Sequence, residues 1–142
     1  VPSSMQATVM QLRYWLPTIA DVAYVAESGP PTSWHFSITP RIPGACPVEI
    51  TLHETGSLDF VIAGQAYEGR TLDLLDQLLP LIERITEGHV VQRRWISRVT
   101  GQLCGIETVV SLAEGRVWSD GRAAPGERVE SHDHHFLPYR RI

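Results

Sequence analysis

The run VEITLHETGSLDFVI, residues 48–62, decides how the chain is read. Val48, Ile50 and Leu52 alternate with Glu49, Thr51 and His53, and a period of two puts one set on each face of a β-strand. Thr55 and Gly56 supply a turn, after which Leu58, Phe60 and Ile62 repeat the alternation on the way back. Two such strands pair antiparallel, and helices must cover the one apolar face of their sheet.

The same period extends outward. Trp34, Phe36 and Ile38 alternate with His35 and Ser37 until Pro40, and the stretch from Ile42 to Pro47, with two prolines and a glycine, reads as a loop. Downstream, Gly64 reverses the chain so that Tyr67 returns to the sheet before Gly69. The period then changes. Leu72, Leu75, Leu78, Leu79, Ile82 and Ile85 recur at three- and four-residue spacing, which predicts a helix from Thr71 to Glu87. Thr71 can cap it, Asp73 and Asp76 suit its positive end, Gly88 stops it and Pro80 should kink it. Val91–Val99 and Leu103–Leu112 read as strands, and the Glu114–Gly115 turn leads into a short return strand at Val117 and Trp118.

At the N-terminal end, Met10, Leu12, Tyr14 and Leu16 alternate with Gln11 and Arg13, which predicts a first strand over Thr8–Leu16, ended by Pro17. Thr18 and Asp21 then resemble a capping box. Ile19, Val22, Ala23, Val25 and Ala26 supply a helical stripe that stops at Gly29, before Pro30 and Pro31. The expected order is β-α-β-β-β-α-β-β, an α+β fold with a mostly antiparallel sheet and two helices packed on one face. A single domain is expected over residues 1–142, with a core at about 8–118 and an irregular tail over 119–142. This order is loosely similar to that of toxin-immunity proteins and secretion chaperones, an architectural analogy that carries no residue across.

Composition narrows the chemistry. All 12 basic residues are arginine, and the chain has neither lysine nor asparagine. Absence of both A-rich-codon residues points to a GC-rich, bacterial genome; it also excludes a Schiff-base lysine, a phosphate-loop lysine and N-glycosylation. A net charge of −4 disfavours sequence-independent attraction to nucleic acid or anionic membrane. No apolar run reaches the length of a membrane span, and the opening residues lack a secretory signal, so the expected location is the cytoplasm.

Four constellations bear on function. The tail groups His132, Asp133, His134 and His135; on an extended chain His132 and His134 share a side and, with His53, would make a set of ligands for one divalent transition metal. Arg93, Arg94, Trp95 and Arg98 resemble a base-stacking patch, but alternation separates Trp95 from Arg94 and Arg98. Cys46, in the Pro/Gly-rich loop, is expected to be the accessible thiol, with Cys104 in a core strand; no GxSxG, HExxH or GxGxxG occurs. Lastly, Trp34, Trp118, Phe136 and Tyr139 belong to an aromatic surplus typical of interfaces. The sequence therefore predicts a non-enzymatic, cofactor-free bacterial protein-binding module. It is expected to be a homodimer that recognises a protein partner through these aromatics and binds neither nucleic acid nor membrane. The alternative is a metal-dependent small-molecule enzyme using His132, His134 and His53.

Overall fold

The computed structural model describes residues 4–29, 33–70, 75–121 and 128–140. The run that opened the reading is a hairpin. β3 (Val48–His53) and β4 (Leu58–Ile62) pair antiparallel, with Ile50 opposite Phe60 and Leu52 opposite Leu58. β2 (Ser33–Pro40) joins β3 with Phe36 opposite Ile50, and β5 (Gln65–Arg70) returns alongside β4. The apolar members of this ladder are buried and the polar members lie on the other face, as the alternation requires.

The N-terminal reading is overturned. Residues Ser4–Trp15 form a helix, α1, followed by a 3-10 turn over Leu16–Ile19. Leu12 and Leu16 satisfy a period of two and a helical period equally, so they could not decide. Val9 decides: with Leu12 and Leu16 it makes an i, i+3, i+7 stripe, and all three are buried. Met10 and Tyr14, which a strand would have turned inward, are exposed, Tyr14 at 89%. Pro17 ends no strand; it occupies the first turn of the 3-10 segment, where a missing N–H costs nothing.

The helix expected over 19–26 is likewise absent. Ala23–Ser28 is a strand, β1, paired with β2 from Ala23 opposite Pro40 to Ser28 opposite His35. Val22, Tyr24 and Val25 favour strands, and an available neighbour outweighs a short helical stripe. Gly29 is no helix stop: a Cβ there would collide with the Ser33 carbonyl oxygen, so only glycine permits this close return.

β1 to β5 form one meander in sequential order. α2 (Leu75–Thr86) follows, burying Leu78, Leu81, Ile82 and Ile85; its predicted first turn, Thr71 to Leu74, lies outside the described residues. The second half corrects the expected single sheet and the expected irregular tail. β6 (Val90–Ser97), β7 (Leu103–Ser111), β8 (Val117–Gly121) and β9 (Val129–His135) make a second antiparallel sheet in the order β8-β7-β6-β9. β9 comes from the segment read as tail. Its sequence has no apolar alternation because it is an edge strand, held by backbone pairing and by Arg93 gripping Asp133 at 2.9 and 3.2 Å.

The observed order is α-β-β-β-β-β-α-β-β-β-β, mixed α and β with two antiparallel sheets, so the order behind the immunity-protein and chaperone analogy is not the one found. The sheets meet where Trp118 packs edge-on to Phe60 and Tyr67, while the Tyr67 hydroxyl and Thr108 Oγ1 lie 2.5 Å apart. Arg70 spans to Asp120 with two hydrogen bonds, and the buried Gln92 donates Nε2–H to the Ile62 carbonyl. Beyond β9, Leu137 N–H donates to the Gly44 carbonyl, the Tyr139 hydroxyl to the Cys46 carbonyl, and Arg140 clasps Asp21. Among the described residues no helix is long and apolar enough to cross a membrane.

Candidate interaction surface

The sequence-selected residues are not gathered in one place. Tyr139 is 2% exposed and closes the core over the Ala45–Cys46 loop. Trp118 is wedged between the sheets, and Phe136 packs against the core with His134 edge-on at 4.7 Å. Trp34, half-buried on β2, carries the Arg13 guanidinium 4.0 Å above its ring. The rings expected to meet a partner are thus engaged within the chain, because a two-sheet core has more interior to fill than the one-sheet fold expected for this sequence.

The candidate metal ligands are also apart. His53 ends β3 on the polar face of the first sheet, with Nε2 at 2.6 Å from Asp59. Asp59 also accepts the Gly69 N–H; burial opposes its charge, but the amide and His53 outweigh burial and its carboxyl titrates below the usual range. His132 and His134 project from β9 on the same side as Arg94 and Gln92, their cross-strand neighbours. They line a shallow groove of about 530 Å³ beside Ala63 and Phe136, and His132 lies 3.3 Å from Glu130. Among the described residues, no three His, Cys, Asp or Glu side chains converge on a possible metal position.

The two cysteines exchange the places predicted for them. Cys46 is fully buried beneath Tyr139, and burial pushes its thiol up to about 12. Cys104 lies near the exposed start of β7. A Pro/Gly-rich loop is accessible only if nothing folds over it, and here the C-terminal segment does.

The surface that sequence reasoning missed is the free edge of the first sheet. Among the described residues β1 has β2 as its one strand neighbour, and Tyr24 to Ser28 are exposed. Arg41 N–H donates to the Val22 carbonyl, and Ala23 lies opposite Pro40, which has no N–H. In an antiparallel pair hydrogen-bonded and non-bonded positions alternate. Tyr24, Ala26 and Ser28 therefore direct their backbone groups to β2, while Val25 and Glu27 direct theirs to the open side; Ala23, at 3% exposed, is covered.

Edge strands are normally guarded by charge, brevity or bulges. β9 carries Glu130, Asp133 and His132, His134 and His135; β8 has only five residues; β5 has a register shift against β4 and contains Glu68, Gly69 and Arg70. The sequence AYVAES of β1 has one ionised side chain, Glu27, which Arg13 of α1 already engages, with Arg13 Nε donating at 2.8 Å. Beside the strand runs a groove of about 480 Å³ in which Leu16, Pro17, Ala20 and Val25 sit together with the paired Arg13 and Glu27. Arg41 stacks over the Tyr24 ring at 4.5 Å.

Comparison of the chain with models of protein families, with curated proteins and with solved structures found no significant match.

Proposed function

We propose that this chain is a non-enzymatic protein-binding module that captures an extended segment on the open edge of β1. One observation carries the reading: the outward backbone groups of Val25 and Glu27 lie on an exposed edge whose one charged strand residue, Glu27, is already paired with Arg13. Strand addition draws affinity from main-chain hydrogen bonds and selectivity from alternate side-chain pockets. The groove beside Val25, where Leu16, Pro17 and Ala20 adjoin the Arg13–Glu27 pair, supplies a largely apolar pocket of that kind.

Selection of displayed random peptides on the chain, immobilised at low density, tests the proposal. Binders should alternate apolar and polar residues and should lose about tenfold in affinity for V25P. Proline on an edge strand is tolerated when its missing N–H faces solvent, so V25P removes an outward donor and leaves the β1–β2 ladder intact. Binders indifferent to V25P would refute strand addition at β1.

A further inference from the structure

We infer that the groove between β6 and β9, a site separate from the β1 edge, binds a small phosphomonoester through the Arg94 guanidinium, with His132 and His134 as further donors. The strand register assembles this cluster. Arg94 stands directly opposite His132, and Gln92 directly opposite His134. Directly opposed side chains lie roughly 5 Å apart at Cβ, and residues two positions apart on one strand roughly 7 Å. Three nitrogen-bearing heads therefore share one face, within reach of a single tetrahedral oxyanion. A guanidinium fork takes two of its oxygens, and each neutral imidazole still has one N–H to donate. A carboxylate offers only two oxygens, so a phosphoryl group suits this donor set better.

Charge agrees with the geometry. Arg70, Arg84, Arg93 and Arg140 each meet a carboxylate, whereas Arg94 is exposed and has no ion pair among the described residues. Gln92, Ala63, Asp133 and Phe136 complete the groove's lining. Asp133 is already bonded through both oxygens to Arg93 on the opposite face of the sheet. Gln92, 6% exposed, makes a fixed floor, its Nε2 tied to the Ile62 and Ala63 carbonyls. Phe136, edge-on to His134, and Ala63 bring apolar surface against which the organic part of an ester can rest. One carboxylate opposes an anion here. Glu130 projects from the same face of β9, 3.3 Å from His132 and beyond the residues that line the groove.

Calorimetric titration of the full chain with phenyl phosphate, at constant ionic strength, tests the site, with inorganic phosphate as the probe that lacks an organic group. Phenyl phosphate should bind once per chain and more tightly than inorganic phosphate. R94A should weaken it at least about tenfold, the loss of a charge-assisted pair of hydrogen bonds. E130Q should tighten it about threefold by removing the opposing charge, a gain that a merely structural role for this cluster does not produce. A wild type that ignores phenyl phosphate through the millimolar range would overturn the inference, as would R94A binding unchanged or E130Q binding more weakly. Amide shifts of the wild type need no variant: Arg94, His132 and His134 should move with phenyl phosphate, and shifts confined to other residues would refute this site. Phosphatidylcholine vesicles containing phosphatidic acid present the same group on a surface. With a net charge of −4 the chain should leave them in the supernatant. Sedimentation with those vesicles by a chain that ignores phenyl phosphate would overturn the small ligand in favour of a lipid headgroup.

Discussion

At the scale of single residues, burial sets reactivity more firmly than local sequence does. Cys46 follows Gly44 and precedes Pro47, a context that reads as an accessible loop. The Tyr139 hydroxyl donates to its carbonyl and the ring seals it, so the thiol is fully buried and its pKa rises to about 12. A thiol in that state holds almost no thiolate near neutrality and is neither nucleophile nor metal ligand. Cys104 is exposed, with Sγ facing the Gln102 carbonyl at 3.5 Å. Iodoacetamide should therefore alkylate one thiol per native chain, with peptide mapping placing it at Cys104, and Cys46 should react only after denaturation. Rapid native labelling of Cys46 would mean that Tyr139 does not close the loop. Two of the aromatics singled out by the sequence are used within the chain: Tyr139 closes over the Cys46 loop, and Trp118 joins the two sheets against Phe60 and Tyr67.

At the scale of elements, those with one consistent period form as the sequence predicts. α2 is one, although Pro80 interrupts it. Proline there removes the N–H that would reach the carbonyl of Asp76 and crowds that carbonyl; the Pro80 side chain is exposed, so no packing compensates. P80A should stabilise the chain by about 2 kcal/mol after allowing for a freer unfolded state, raising Tm by about 5 °C in a thermal melt. An unchanged or lower Tm would show that the helix needs its bend. β2, β3 and β4 were legible for the same reason as α2, because buried and exposed positions alternate without conflict. α1 was not, because Leu12 and Leu16 fit both periods, and the evidence that decides is what Val9 packs against. β9 was invisible to periodicity, since an edge strand bonded through its backbone needs no apolar face. With β1 mistaken for a helix, the open edge beside it had no sequence signature; the legible hint was the strand-favouring Val22, Tyr24 and Val25 before a Gly-Pro-Pro turn.

For the molecule as a whole, the C-terminal segment ties distant parts of the chain together, and charge does much of the tying. β9 borders β6 through the Arg93–Asp133 pair, and Arg140 reaches back past α2 to Asp21 and the Thr18 carbonyl. The Arg140 guanidinium bonded to Asp21 lowers that carboxyl below its usual range, and Arg93 does the same for Asp133. A carboxyl whose folded pKa is depressed contributes stability that is present above its unfolded value, near 3.9, and is lost as pH falls through the lower folded value. His53 and the Gly69 amide extend the behaviour to Asp59 in the first sheet, against the opposing effect of its burial. The urea midpoint should therefore drop below about pH 4, where 12 arginines and six histidines also lose their counter-charges. Equilibrium unfolding at pH 6, 4, 3 and 2.5 checks this, with D21N/D133N as the comparison. The double variant should start lower at pH 6 and lose less on acidification, because the pairs it lacks can no longer be titrated away. Equal losses in the two proteins would mean that these pairs contribute nothing and that the tail is held by Tyr139, Leu137 and the β6–β9 ladder alone.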